Sequence, residues 1–243
     1  MDFTKDYKDL EQFLKITFPD KRNLVTPVER TAEHPVMLHI SKDSGIKEFT
    51  PRVAARSANV EDTSLPRVCV SLSVLECVVG YGNVLWDFLW GDRENDGFKG
   101  GYYIYALPYR LALKPDVKLL SDVVKTNEHW LVGYNRRRYS ITPDVIGKLW
   151  LDETQTERFG DQKFQYEFTL YLECSTELWV SPDRKVEAGY YEIKVKGAKS
   201  DTFWNLDSDH VSVQTLSKDE YTKRKKLKVS LLSLEHTPQS KEF

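Results

Sequence analysis

The segment Phe164-Gln165-Tyr166-Glu167-Phe168-Thr169-Leu170-Tyr171-Leu172-Glu173 constrains this chain most, because it alternates apolar and polar residues almost perfectly. Side chains leave a strand on opposite faces in turn, so Phe164, Tyr166, Phe168, Leu170 and Leu172 line one face of a half-buried strand. The same period returns where Tyr191, Ile193 and Val195 alternate with Glu192, Lys194 and Lys196. It returns again where Leu227, Val229 and Leu231 alternate with Lys226, Lys228 and Ser230. Tyr102-Tyr103-Ile104-Tyr105-Ala106-Leu107 is short and aromatic, another strand composition. The reading is an α+β protein with a mostly antiparallel β core and a few short helices.

The first part of the chain is mixed. Leu10, Phe13, Leu14 and Ile16, set among Lys, Asp and Glu, predict a short amphipathic helix over 7–17, which Pro19 helps to end. Residues 20–35 carry Pro27 and Pro35 and read as a connector into a strand over 36–40. Residues 42–66 read as a long irregular stretch, of a length that marks functional or mobile loops. Cys69, Val70, Leu72 and Val74 begin a strand that turns into a helix through Leu75, Cys77, Val78 and Val79. Gly91 to Gly101 reads as a turn or flap. Ser217, with Glu220 three residues on, predicts the N-cap of a helix over 217–226. The domain reading is a helical N-terminal lead at 1–30, a single α+β domain at 31–235 and a flexible tail at 236–243.

Composition narrows the function classes. With 243 residues, 40% hydrophobic and 30% charged, the chain is expected to fold rather than stay disordered. Its 35 Lys+Arg against 37 Asp+Glu give a net charge of −2, without the cationic excess of a dedicated nucleic-acid binder. Two basic clusters, Arg136-Arg137-Arg138-Tyr139 and Lys223-Arg224-Lys225-Lys226, are the local places where a phosphate backbone would be gripped, and each reads first as a solvated face. Three cysteines, Cys69, Cys77 and Cys174, form no Cys-x-x-Cys pair, which argues against a disulfide framework or thiolate zinc site and for a reducing cytoplasm. His34 and His39 lie five apart with no His-x-His, so no metal site is expected. The N-terminus lacks a signal-peptide core and no run reaches the length of a membrane span, so a cytoplasmic, non-membrane protein is expected.

Polar groups inside apolar strands mark the candidate chemistry, since each is costly unless paired or used. They are His39 in Val36-Met37-Leu38-His39-Ile40-Ser41, Ser71 and Ser73 in Pro66-Arg67-Val68-Cys69-Val70-Ser71-Leu72-Ser73, and Glu128 in Thr126-Asn127-Glu128-His129-Trp130-Leu131-Val132. Each has a structural counterpart: a satisfied core histidine, hydroxyls at a sheet edge, an edge glutamate facing water. A nucleophilic Cys69 or Cys77 served by His39 or His129 has only Arg67 nearby to activate it, and Val68-Cys69-Val70 reads as a small buried hydrophobe.

The order His, Ser-x-Ser, Glu-x-Trp over about residues 36–132 resembles the ADP-ribosyltransferase family. The Leu-His-Ile-Ser start and Pro-Arg-Val-Cys-Val-Ser motif also look like uncharacterised bacterial and phage sequences. The resemblance implies two small packed sheets with a cleft that holds NAD as substrate. It implies that His39 bonds the adenosine ribose, with Ser41 beside it, that Ser71 and Ser73 support the ribose and order the cleft, and that Glu128 is the catalytic carboxylate. Tyr102, or Tyr81, Tyr103 or Tyr105, would be the aromatic platform for nicotinamide. The acceptor implied is a macromolecule, a protein, and Thr126 two before Glu128 argues against arginine on it. Ile40 stands where histidine-type members commonly carry Gly, and the second motif is of serine type. Glu177 in Thr176-Glu177-Leu178-Trp179-Val180 has the same Glu-x-Trp form, and Glu128 is preferred on its distance from the second motif. The rival expectation is a non-enzymatic interaction or inhibitor protein, such as a phage-encoded counter-defence protein, that binds a host protein or a nucleotide. In the enzyme, Glu128 must face His39 and Ser71 across one cleft.

Overall fold

Alternating side chains make strands, and β-structure dominates the second half of the described chain, as the sequence predicts. The computed structural model describes residues 2–53, 64–80, 101–120, 123–134, 140–159, 163–200 and 203–224. The strands are β1 (Val25–Glu29), β2 (Val36–Ser41), β3 (Val68–Val70), β4 (Tyr102–Pro108), β5 (Leu111–Pro115), β6 (His129–Leu131), β7 (Asp144–Phe159), β8 (Lys163–Cys174), β9 (Leu178–Ser181), β10 (Arg184–Val186), β11 (Gly189–Ser200) and β12 (Phe203–Leu216). The helices are α1 (Thr4–Thr17), α2 (Val74–Gly80), α3 (Val123–Thr126) and α4 (218–224). The architecture is α+β with antiparallel pairing throughout the sheets.

One sheet of six strands runs β12-β11-β8-β7-β4-β2, and one of four runs β1-β5-β6-β3. Their edges are joined where Leu38 of β2 and Ser71 just past β3 exchange backbone hydrogen bonds of 2.8 and 3.0 Å. The chain crosses between the sheets at Tyr109 and Arg110, since β4 and β5 are consecutive but belong to different sheets. α2 and the β9-β10 hairpin cover the large sheet, where Val74, Val78, Leu178 and Val180 pack on Leu38, Ile40, Ile104, Leu172 and Ile193. α1 covers the small sheet through Leu10 and Leu14 against Leu111, Leu113 and Trp130. A third core fills the junction: Met37, Tyr105 and Leu107 from the large sheet meet Val68, Val70, Ala112 and Leu131 from the small one.

Several expectations change. Residues 20–35 are more than a connector: a 3₁₀ helix (Pro19–Leu24) leads into β1, which pairs with β5 as the edge of the small sheet, and α1 buries its apolar face against that sheet. Pro27 sits in β1, where an edge strand tolerates a residue without an N–H. The alternation of β11 does not leave Glu192 in water: it is buried, ion-paired with Arg224 at 3.3 Å, and accepts the Tyr171 hydroxyl at 3.2 Å. That contact docks α4, which Ser217 and Glu220 start by a reciprocal capping box. The readings at 54–63, 91–100, 227–231 and 236–243 lie outside the described residues. Among the described residues, no helix is long and apolar enough to cross a membrane.

Gly101 opens β4 with a φ of +71°, and a Cβ there would lie 2.8 Å from the Leu149 carbonyl oxygen and 2.9 Å from the Trp150 ring. Both the left-handed backbone and the lack of space exclude a side chain. Gly101→Ala is therefore expected to cost about 2 kcal/mol or more and to lower Tm by about 4–8 °C, read by thermal unfolding.

Candidate functional site

The three motifs, spread along the sequence, come together because β2, β3 and β6 lie side by side at the junction of the sheets. Val70 opposes His129 at the end of the β3-β6 register, Ser71 follows Val70 and Glu128 precedes His129. Leu38 and Ser71 pair across the junction and share a face, and Ser71 bonds Thr126, two residues before Glu128.

Glu128 is half-buried, immediately before β6. Its Oε1 accepts the indole Nε1–H of Trp130 at 2.8 Å, and its backbone N–H donates to Thr126 Oγ1 at 3.3 Å. The Glu-x-Trp spacing has a physical reason, since residues two apart on a strand share a face and the indole can clamp the carboxylate. A hydrogen bond to a charged group contributes about 1.5–3 kcal/mol. Behind the clamp, the Arg67 guanidinium stacks 4.2 Å from the Trp130 ring. Ser71 is buried, and its hydroxyl donates to the Thr126 carbonyl at 3.3 Å, fixing the base of the turn that carries Glu128.

Ser73 has a structural role. It is the N-cap of α2: its backbone N–H donates to Glu76 Oε2 at 3.0 Å and its Oγ accepts the Glu76 N–H at 3.4 Å. Glu76 was not among the sequence candidates, although Ser73-Val74-Leu75-Glu76 is a capping-box spacing. The other Glu76 oxygen accepts Asn127 Nδ2–H at 3.0 Å, and Lys114 Nζ donates to Asn127 Oδ1 at 2.8 Å. Burial raises the Glu76 carboxyl above its ordinary value despite these donors.

His129 donates Nδ1–H to the Asn127 carbonyl at 2.7 Å, and burial pushes its imidazole from 6.5 down to about 4. The folded state keeps His129 neutral, while the unfolded chain takes up a proton below pH 6.5. Stability from this group is thus complete above pH 6.5 and is lost as the pH falls from 6.5 toward 4, by about 3 kcal/mol. Glu76 acts in the opposite sense, contributing most below its ordinary value of 4.5 and losing that contribution as the pH rises. Between pH 7 and pH 4.5 the urea midpoint of the parent is expected to fall further than that of His129→Asn, and equal shifts in the two proteins would show that His129 does not titrate as stated.

His39 lies apart from Ser71 and Glu128. As the neighbour of Leu38 it leaves β2 from the other face, toward the core at the junction. There its Nδ1–H donates to the Cys69 carbonyl at 2.9 Å and the ring packs on Phe49, centroids 4.8 Å apart. Burial lowers its pKa, which favours the neutral ring, with Nε2 as the acceptor nitrogen. The structure therefore brings Ser71 and Glu128 together and does not set His39 facing them. Ser41 Oγ accepts the Asp43 N–H at 3.2 Å, closing the turn after β2. Tyr102 is 1% exposed in the core of the large sheet, so the ring presents no open face. Tyr105 is buried on the opposite face and donates to the Asp43 carbonyl at 2.6 Å, while Tyr103 is half-buried beside it. Tyr81 lies outside the described residues.

Glu177 sits on the β9-β10 hairpin, exposed and paired with Lys185 at 2.8 Å. The Trp179 Nε1–H goes to the Glu33 carbonyl, so this second Glu-x-Trp lacks the clamp that holds Glu128. Cys77 is buried, donates to the Leu38 carbonyl at 3.3 Å, and has its thiol pushed up by burial, the reverse of what a nucleophile needs. Among the described residues, no group of three His, Cys, Asp or Glu is placed to hold a metal ion. Arg136–Arg138 lies outside the described residues. The chain matches no family model, no curated protein and no solved structure.

Proposed function

We propose that this chain is an ADP-ribosyltransferase-like protein that binds NAD beside Glu128 and transfers ADP-ribose to a macromolecular acceptor, a protein. One observation carries the reading: strands bearing motifs about thirty and sixty residues apart are laterally consecutive at the junction of two sheets, with the Ser71 hydroxyl bonded to Thr126, two residues before Glu128. In the reaction, the bond between the ribose C1′ and the nicotinamide nitrogen breaks, and nicotinamide leaves with the bonding electrons. An acceptor nucleophile then bonds C1′ and releases its proton. Glu128 stabilises the positive charge that develops on the ribose, and the Trp130 clamp holds the carboxylate in place. Ser71 acts beneath it by fixing Thr126. A cytoplasmic location accords with the free thiols of Cys69, Cys77 and Cys174.

A second reading, a binding or inhibitor protein without turnover, is favoured by His39, which bonds Cys69 and packs on Phe49 rather than facing Glu128, and by Ser73 and Tyr102, which are 0% and 1% exposed and would have to move to meet a ligand. Calorimetric titration with NAD, followed by mass analysis for free nicotinamide and an ADP-ribose adduct, separates the two. Saturable binding with nicotinamide release supports the transferase, and binding without release supports the second reading. No heat at millimolar NAD overturns the NAD reading.

A further inference from the structure

The direction of Glu128 is set by the residue before it. Asn127 has a φ of +44°, the one positive value at a non-glycine residue among the described residues. Asn tolerates this conformation, but nothing in its own backbone preference enforces it. Its N–H donates to the Val123 carbonyl at 2.9 Å where α3 ends, and side-chain bonds add to that hold. Its Nδ2–H donates to Glu76 at 3.0 Å, its Oδ1 accepts from Lys114 at 2.8 Å, and its carbonyl accepts the His129 Nδ1–H at 2.7 Å. A capping box uses one Glu76 oxygen, the one facing the Ser73 N–H. The second oxygen serves no helical purpose, and it reaches across to the small sheet to hold Asn127. Glu76 is buried, so this bond is shielded from competing water.

We propose that Glu76 is a positioning residue for Glu128: through Asn127 it fixes the left-handed turn that aims the carboxylate at the Trp130 indole and at the ligand. The inference deepens the NAD reading, on which its kinetic arm rests. A rotation at Asn127 swings the whole Glu128 side chain, and displacement of a reacting group by about 1 Å lowers a rate by roughly a hundredfold.

The test uses the full chain and two variants. Glu76→Gln leaves one acceptor oxygen for two donors, and Asn127→Gly permits the left-handed conformation while deleting the amide bonds that hold it. The first readout is the ¹⁵N–¹H resonance of the Trp130 indole, assigned by its loss in Trp130→Phe, with Glu128→Ala marking the position of the unclamped indole. Both variants are expected to move the resonance toward that position while still folded. A resonance left at the parent position in both overturns the proposal, and if Glu76→Gln does not fold, Asn127→Gly decides. In the kinetic arm, kcat for nicotinamide release is expected to fall by about a hundredfold with KM for NAD within about twofold, and an unchanged kcat overturns the proposal. If the parent neither binds nor cleaves NAD, the NAD reading falls and the indole readout alone judges Glu76.

Discussion

Glu128→Gln is expected to lower nicotinamide release from NAD by about 10²–10³-fold while leaving NAD affinity within about threefold of the parent. The substitution is nearly isosteric. Gln retains a carbonyl oxygen where Glu128 Oε1 accepts the Trp130 Nε1–H at 2.8 Å, so the side chain keeps its direction and loses only its charge. That charge matters little to ground-state NAD, which carries its own phosphates, and most when the ribose becomes cationic as nicotinamide leaves. Single-turnover kinetics with calorimetry measures both quantities. Glu177→Gln is the control: its carboxylate is exposed and paired with Lys185, and release should change by less than about twofold. Equal rates for Glu128→Gln and the parent would remove Glu128 from the mechanism. A loss in Glu177→Gln instead would move the site to the β9-β10 hairpin.

The sequence made visible those elements whose local pattern matched their surroundings. Leu170, Leu172, Ile193 and Val195 fall on one face of β8 and β11 and pack in the core, because one face of a large antiparallel sheet is covered by α2. Ser217 and Glu220 begin a helix because a capping box is a contact between near neighbours. β7 was not legible. Its run Asp152-Glu153-Thr154-Gln155-Thr156-Glu157-Arg158 has no apolar alternation, and the strand is specified by its pairing with β8. β12 was hidden for a related reason: its pairing with β11 jumps from Val211 to Leu206, and the residues skipped are Asp207-Ser208-Asp209-His210.

The site divides along the same line. The order of the motifs could be read, but their lateral neighbours could not. His39 in its apolar run bonds the Cys69 carbonyl, a contact between residues 30 apart that exists only because β2 and β3 lie side by side. Glu76 had a legible role as a cap. Its bond to Asn127 joins residues 51 apart and depends on how α2 meets the small sheet.

Trp130→Ala should destabilise the protein by about 3–5 kcal/mol, with a Tm lower by about 10 °C or more. The indole is 0% exposed between α1 and the small sheet, so its removal leaves a cavity that Leu10, Leu113 and Val132 cannot all collapse to fill. It also uncovers the Arg67 guanidinium, which is buried and stacked on the ring. Trp130→Phe separates this structural role from the clamp. A phenyl ring keeps part of the volume and a face for Arg67, so about 1–2 kcal/mol is expected, but it offers Glu128 no N–H. Thermal unfolding of both variants, beside nicotinamide release measured below either Tm, distinguishes packing from positioning. Release that falls in Trp130→Phe as far as in Trp130→Ala assigns the loss to the clamp, since the two variants share it and differ in the cavity. Release that follows stability instead would make Trp130 a core residue whose contact with Glu128 is incidental, and the Glu-x-Trp spacing would then reflect packing alone.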